Sequence, residues 1–147
     1  MNIRHRTFPI LLATLALATA ALAHTGVKNP QVMARMENMS RIAEATKVLG
    51  QMVRGQTAFD AARVAEAART LSEETRQIPA HFESQASDPK SEALPAIWVN
   101  WSDFEAKTRD GVLAANALSD VQTLEDLQAG LAALSKTCKS CHTLYRE

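Results

Sequence analysis

The stretch "LEDLQAGLAALSKTCKSCHTLYRE", residues 124–147, reads as one helix. Leu124, Leu127, Leu131, Leu134, Cys138, Cys141 and Tyr145 recur at steps of three and four, the spacing that lines a single helical face. Thr123, with Asp126 three residues later, is a variant of the capping box and starts the helix. The period does not break at the cysteines. Cys138 and Cys141 continue the inward stripe, and His142, four residues after Cys138, is expected on the same side. The stretch therefore predicts a helix that brings two thiols and an imidazole to one end of a core.

The same period governs most of what precedes it. Alanine is abundant, β-branched residues are sparse, and the few glycines and prolines fall between long periodic segments, which predicts an all-α chain. A first helix is expected from Asn29-Pro30, an N-cap followed by proline at the first helical position, to about Arg54, with Gly55 as its stop. Its inner stripe is Val32, Met36, Met39, Ile42, Thr46, Leu49 and Val53. A second is expected from Asp60 to Ile78, ended by Pro79, with Val64, Ala68, Leu71, Thr75 and Ile78 inward. Residues 79–95 are polar, carry three prolines and read as a loop. A third helix is expected unbroken from Pro95 to about Leu118. Four amphipathic helices with mostly short links predict an antiparallel up-down-up-down four-helix bundle. In that topology the cysteine end of the last helix lies beside residues 35–39, 78–82 and 97–101.

Two cysteines in C-x-x-C admit several chemistries. A disulfide between them closes a loop too short to staple a fold. A structural zinc site needs four ligands, and no second histidine has partner spacing to the motif. A thioredoxin-like pair needs a helix N-terminus to depress a thiol pKa, whereas this pair closes a helix in an all-α chain. C-x-x-C-H is the signature of c-type haem attachment: two thiols add across two vinyl groups, and the adjacent histidine reaches the iron. The expected cofactor is one haem c, covalently attached through Cys138 and Cys141 with His142 on the metal, held at the end of the bundle formed by the C-terminus of the last helix.

Residues 1–23 read as a secretory signal peptide: Arg4 and Arg6 without an acid, an apolar run too short to span a bilayer comfortably, then Ala21-Leu22-Ala23. Cleavage after Ala23 would leave one domain, residues 24–147, in the periplasm, with 14 basic against 16 acidic residues. No basic patch suggests nucleic acid, and no later run suggests membrane insertion.

With these features in place the chain resembles the class II c-type cytochromes, the cytochrome c′ family, over its whole mature length. The resemblance rests on "RGQTAFDAARV" (54–64), "AIW" (96–98) and "CKSCHTLYR" (138–146), the position of the last being its most specific element. Counting back without gaps from the first of these, the resemblance implies that Met39 occupies the family's distal position as an iron ligand. It likewise implies that Arg35, one turn earlier, is a haem-propionate partner, and that Arg146 is the basic residue shaping the proximal side. Geometry is compatible, since Met39 lies about 13 Å along its helix at 1.5 Å per residue. On the residues alone the methionines of the first helix are equally good core filler, and Met36 and His81 are rivals to Met39. A distal thioether leaves no open iron position and implies a periplasmic electron carrier that meets other redox proteins, a low-spin member of the family and not an enzyme. A packing Met39 implies instead a five-coordinate protein of the cytochrome c′ type that binds nitric oxide or carbon monoxide. Relatives are monomers or homodimers joined through their first two helices, and the alanine-rich outer faces here permit either.

Overall fold

The computed structural model describes residues 26–147; the signal-peptide reading of residues 1–23 lies outside them. Among the described residues five helices follow one another: α1 (Pro30–Val53), α2 (Ala61–Phe82), the short α3 (Ala96–Val99), α4 (Trp101–Asn116) and α5 (Leu124–Tyr145). Helix α1 packs on α2, α2 on α4, α4 on α5, and α5 back on α1, which closes a ring of four. The residue pairs give the directions. Asn38 meets Glu74 while Arg35 meets His81; Phe82 meets Phe104 while Thr75 lies against Gly111; Phe104 meets Tyr145 while Leu118 lies against Gly130. In each pair one number rises as the other falls, so neighbouring helices are antiparallel and the expected up-down-up-down bundle is what forms. No strand occurs among the described residues; the only pairing of that kind is an isolated bridge between Ala93 and Arg146.

Helix ends follow the local chemistry. Asn29 accepts from the backbone N–H groups of Gln31 and Val32, Asp60 from that of Arg63, and Thr123 from that of Asp126, each satisfying amides that a helix start leaves without partners. Gly55 stops α1 at φ +68, with its N–H donating to Met52 and that of Gln56 to Gln51, a Schellman closure.

Three expectations are corrected. Pro79 does not end α2; the helix runs through it to Phe82. The ring removes one backbone donor, but the last turn is held from outside. The His81 carbonyl accepts from Arg35 Nε at 3.0 Å, the Phe82 carbonyl accepts from Trp98 Nε1 at 2.7 Å, and the Phe82 ring is buried. Nor is the third helix continuous. Asn100, at φ −115 and ψ 44, separates α3 from α4, and its side-chain amide turns back to donate to the Ala96 carbonyl. A local bond of this kind is how asparagine competes with helix. The third correction concerns α1. Its buried residues are Val32, Arg35, Asn38, Ala45, Leu49, Gly50 and Met52, so the inward face is rotated from the apolar stripe and Met36, Met39 and Ile42 sit at its margin. Hydropathy missed this because Arg35 and Asn38 are inside, paid for by hydrogen bonds to α2.

The core divides in two along the bundle axis. The larger cluster, including Leu49, Met52, Val64, Leu71, Leu118, Leu127 and Leu134, fills the middle and the end near the α1–α2 turn. A second, aromatic cluster of Phe82, Ile97, Phe104 and Tyr145 fills the other end.

Candidate functional site

Cys138 and Cys141 bridge these two clusters. Cys138 packs against the larger one and Cys141 against the aromatic one, so one turn of α5 spans the boundary. Both are free and half-buried. Burial pushes the Cys141 thiol up to about 11, against the pull of Lys107 and with the help of Cys138 and Asp103; burial also raises Cys138. Met39, from α1, packs on the same aromatic cluster as Cys141, together with Ile78, Ala93, Ala96, Trp98 and Trp101. The structure thus brings Met39 and Cys141 to one apolar end of the bundle, as the topology predicts.

His142 is placed differently. It is exposed, just past the edge of the buried face, and does not share the inward position of the cysteines. Desolvation of its ring and the Arg146 cation lower its pKa, with Glu92 opposing. Its imidazole is accordingly held toward the neutral form that binds metals.

Arg35 is almost fully buried and lies over the rings of Phe82 and Trp98 at 4.6 and 5.3 Å. It donates to the carbonyls of His81, Ala86 and Ser84. Desolvation lowers its pKa. Its observed partners are therefore the end of α2 and the loop that follows. Arg146 is exposed, pairs with Glu92, and sits in the bridge to Ala93. Beside it the Leu94 N–H donates to the Tyr145 carbonyl and the Glu147 N–H to the Glu92 carbonyl, both at 3.0 Å. Of the rivals to Met39, Met36 is half-buried on α1. His81 keeps its Nε2 buried with no hydrogen-bond partner among the described residues.

Two further residues complete this end: Tyr145, the last of the predicted inward stripe and buried as expected, and Asp88, which the sequence pattern does not single out. Tyr145 closes the aromatic cluster edge-on to Phe104 and donates from its hydroxyl to Asp103 at 2.5 Å. Asp88, buried in the loop, accepts from the N–H groups of Lys28, Asn29 and Lys90 and ties the start of α1 to this end. The Asp88-Pro89 pair signals a turn, but nothing in the sequence shows that it reaches α1.

The donor set suits haem c. Two thiols stand one helical turn apart on α5 with an imidazole beside the second, a thioether lies on the same cluster as Cys141, and a buried imidazole nitrogen is without a partner nearby. No group of three or more His, Cys, Asp or Glu side chains suited to a bare metal ion occurs among the described residues. No helix among them is long and apolar enough to cross a membrane.

Comparison with known proteins shows the family. The chain is 35% identical over 120 residues to "Cytochrome c-556" of Agrobacterium fabrum, covering 79% of this chain and 80% of that one. It is 34% identical over 119 residues to "Cytochrome c'" of Pararhodospirillum photometricum, covering 77% and 93%. The solved structure of cytochrome c' from Rhodopseudomonas palustris superposes with a TM-score of 0.75 at 25% identity, over 82% of this chain and 98% of that one. The family model described as "Cytochrome C'" matches residues 30–146, and the chain belongs to that family.

Proposed function

We propose that the protein is an exported, periplasmic electron carrier with one haem c, bonded through the sulfurs of Cys138 and Cys141 and held on the iron by His142 and Met39. When bound, the haem supplies a one-electron iron(III)/iron(II) couple, and a histidine–methionine pair raises its potential. The observation that carries the reading is the placement of Met39 on the cluster that also receives Cys141. The aromatic side chains around them exclude water from the redox centre, and the α5 end is tied down by Glu92–Leu94, so the histidine is presented from a fixed turn. Arg35 and Arg146, one turn from Met39 and from His142, are cations of this neighbourhood, as is Lys107 beside Cys141. The relatives named as cytochrome c-556 and as cytochrome c' both match, and one experiment separates a ligating Met39 from a packing one.

That experiment is the optical spectrum of the holoprotein. His142/Met39 ligation gives a low-spin iron(III) spectrum with the thioether charge-transfer band. Met39→Ala then turns it high-spin and responsive to carbon monoxide, while Met36→Ala and His81→Ala leave it unchanged. A wild-type spectrum that is already high-spin and shifts with carbon monoxide would replace this reading with a gas-binding one.

A further inference from the structure

A cleft of about 360 Å³ opens on the outside of the aromatic end, between the last turn of α2 and the bend from α3 to α4. It is lined by Pro79 and Glu83 from α2, Trp98 from α3, and Trp101 and Glu105 from α4. Neither carboxylate makes an ion pair or a side-chain hydrogen bond among the described residues, although Glu105 is half-buried. Both carboxylates are therefore free to receive a cation from outside the chain. The indoles suit the same guest, because the face of a tryptophan attracts a cation, and Trp98 already carries one, Arg35, at 5.3 Å from its ring. Val99, next to Trp98 in the chain, is 81% exposed, an apolar surface that a protein face would cover. The back of the cleft is continuous with the redox end: Trp98 and Trp101 pack on the aromatic cluster that receives Met39 and Cys141.

We infer that this cleft is the docking point for a lysine or arginine side chain on the basic face of a redox-partner protein, held between Glu83 and Glu105 against Trp98 and Trp101. The inference rests on the electron-carrier reading and adds to it where the partner sits. One electron then passes between the two proteins, one being oxidised and the other reduced, with no bond made or broken in the cleft.

The test is stopped-flow oxidation of the reduced holoprotein by two small oxidants of opposite charge, tris(phenanthroline)cobalt(III) and hexacyanoferrate(III), with pentalysine as a competitor standing in for the basic face. In E83Q/E105Q the rate with the cobalt cation falls roughly ten-fold at low ionic strength, the lower end of electrostatic steering. The loss vanishes in high salt, the rate with the anion does not fall, and pentalysine no longer slows the cobalt reaction. The control E66Q/E125Q removes the same charge at the far end of the bundle and stays within about two-fold of wild type. An equal loss in the control, or a loss that survives high salt, overturns the inference. So does pentalysine inhibition that persists in E83Q/E105Q, which would leave a site for small cations only. Failure of the electron-carrier reading shows separately, in the ligation spectrum of the unmodified protein.

Discussion

Replacing Arg35 tests how the aromatic end of the bundle is built. Its guanidinium is almost fully buried and supplies three hydrogen bonds, to the carbonyls of His81, Ser84 and Ala86, besides lying over Phe82 and Trp98. Hydrogen bonds involving a charged group contribute about 1.5–3 kcal/mol each, and each ring contact about 0.5–2 kcal/mol. Against this stands the desolvation of the cation, several kcal/mol, and the carbonyls of Ser84 and Ala86 can regain water in the variant. The net cost of Arg35→Met is about 2–4 kcal/mol. The sharper variant is Arg35→Lys. An ammonium keeps the charge but cannot fork to three carbonyls from one position, so it loses about as much as methionine does. Urea unfolding of the holoprotein, followed by far-UV circular dichroism, reads both. At a slope of about 2 kcal/mol per molar, the midpoint drops by about 1–2 M with the slope unchanged. If Arg35→Lys unfolds with the wild type while Arg35→Met loses several kcal/mol, the charge and not the fork holds α2 to its loop, and the reasoning is refuted.

Four smaller predictions follow from the same structure. Leu71→Ala, in the larger cluster at 1% exposure, lowers stability by about 2–5 kcal/mol in the same urea assay. Gly55→Ala has room for its methyl group but must hold φ +68, and loses about 1 kcal/mol, all of it backbone. Tyr145 is the sole tyrosine, so ultraviolet difference titration of the holoprotein reports it alone; burial and its bond to Asp103 raise its pKa to about 12, and Asp103→Asn brings the step down toward the usual 10. Because the folded state then keeps a proton that the unfolded chain has released, stability falls as pH rises from about 10 to about 12. Asp88 has the opposite sign. The Lys90, Lys28 and Asn29 amides hold its pKa below the usual 3.8, so its contribution is present at neutral pH and lost on acidification below that value, and Asp88→Asn flattens the acid limb of a plot of unfolding midpoint against pH.

Much of this architecture is legible in the chain because helix is a local code. The stripes of α2 and α5, the caps at Asn29, Asp60 and Thr123, and the stop at Gly55 each depend on residues within a turn or two of one another. What escaped is carried by contacts between distant segments. Pro79 reads as a stop, and only Arg35, 44 positions earlier, and Trp98, 19 later, explain why α2 continues past it. Arg35 and Asn38 lie off the apolar stripe of α1, and their hydrogen-bond partners, on α2 and the loop after it, are out of reach of a local pattern. The thiols announce their chemistry through spacing. Met39 does not, since a thioether that packs and one that binds iron have the same sequence pattern.

The pairing of residues 92–94 with residues 145–147 has a consequence for the redox step. The final turn of a helix is where fraying begins, with opening free energies near zero, and His142 lies only three residues before the end of α5. Left alone, that turn could unwind and rewind as the charge on the iron changed, and each transfer would carry the energetic burden of rearranging it. The Ala93–Arg146 bridge and its flanking bonds convert a fraying end into a clamped one. Under the proposed ligation, a histidine fixed in this way would keep one geometry in both oxidation states, and a few backbone hydrogen bonds outside the redox centre would keep the reorganisation energy of transfer low.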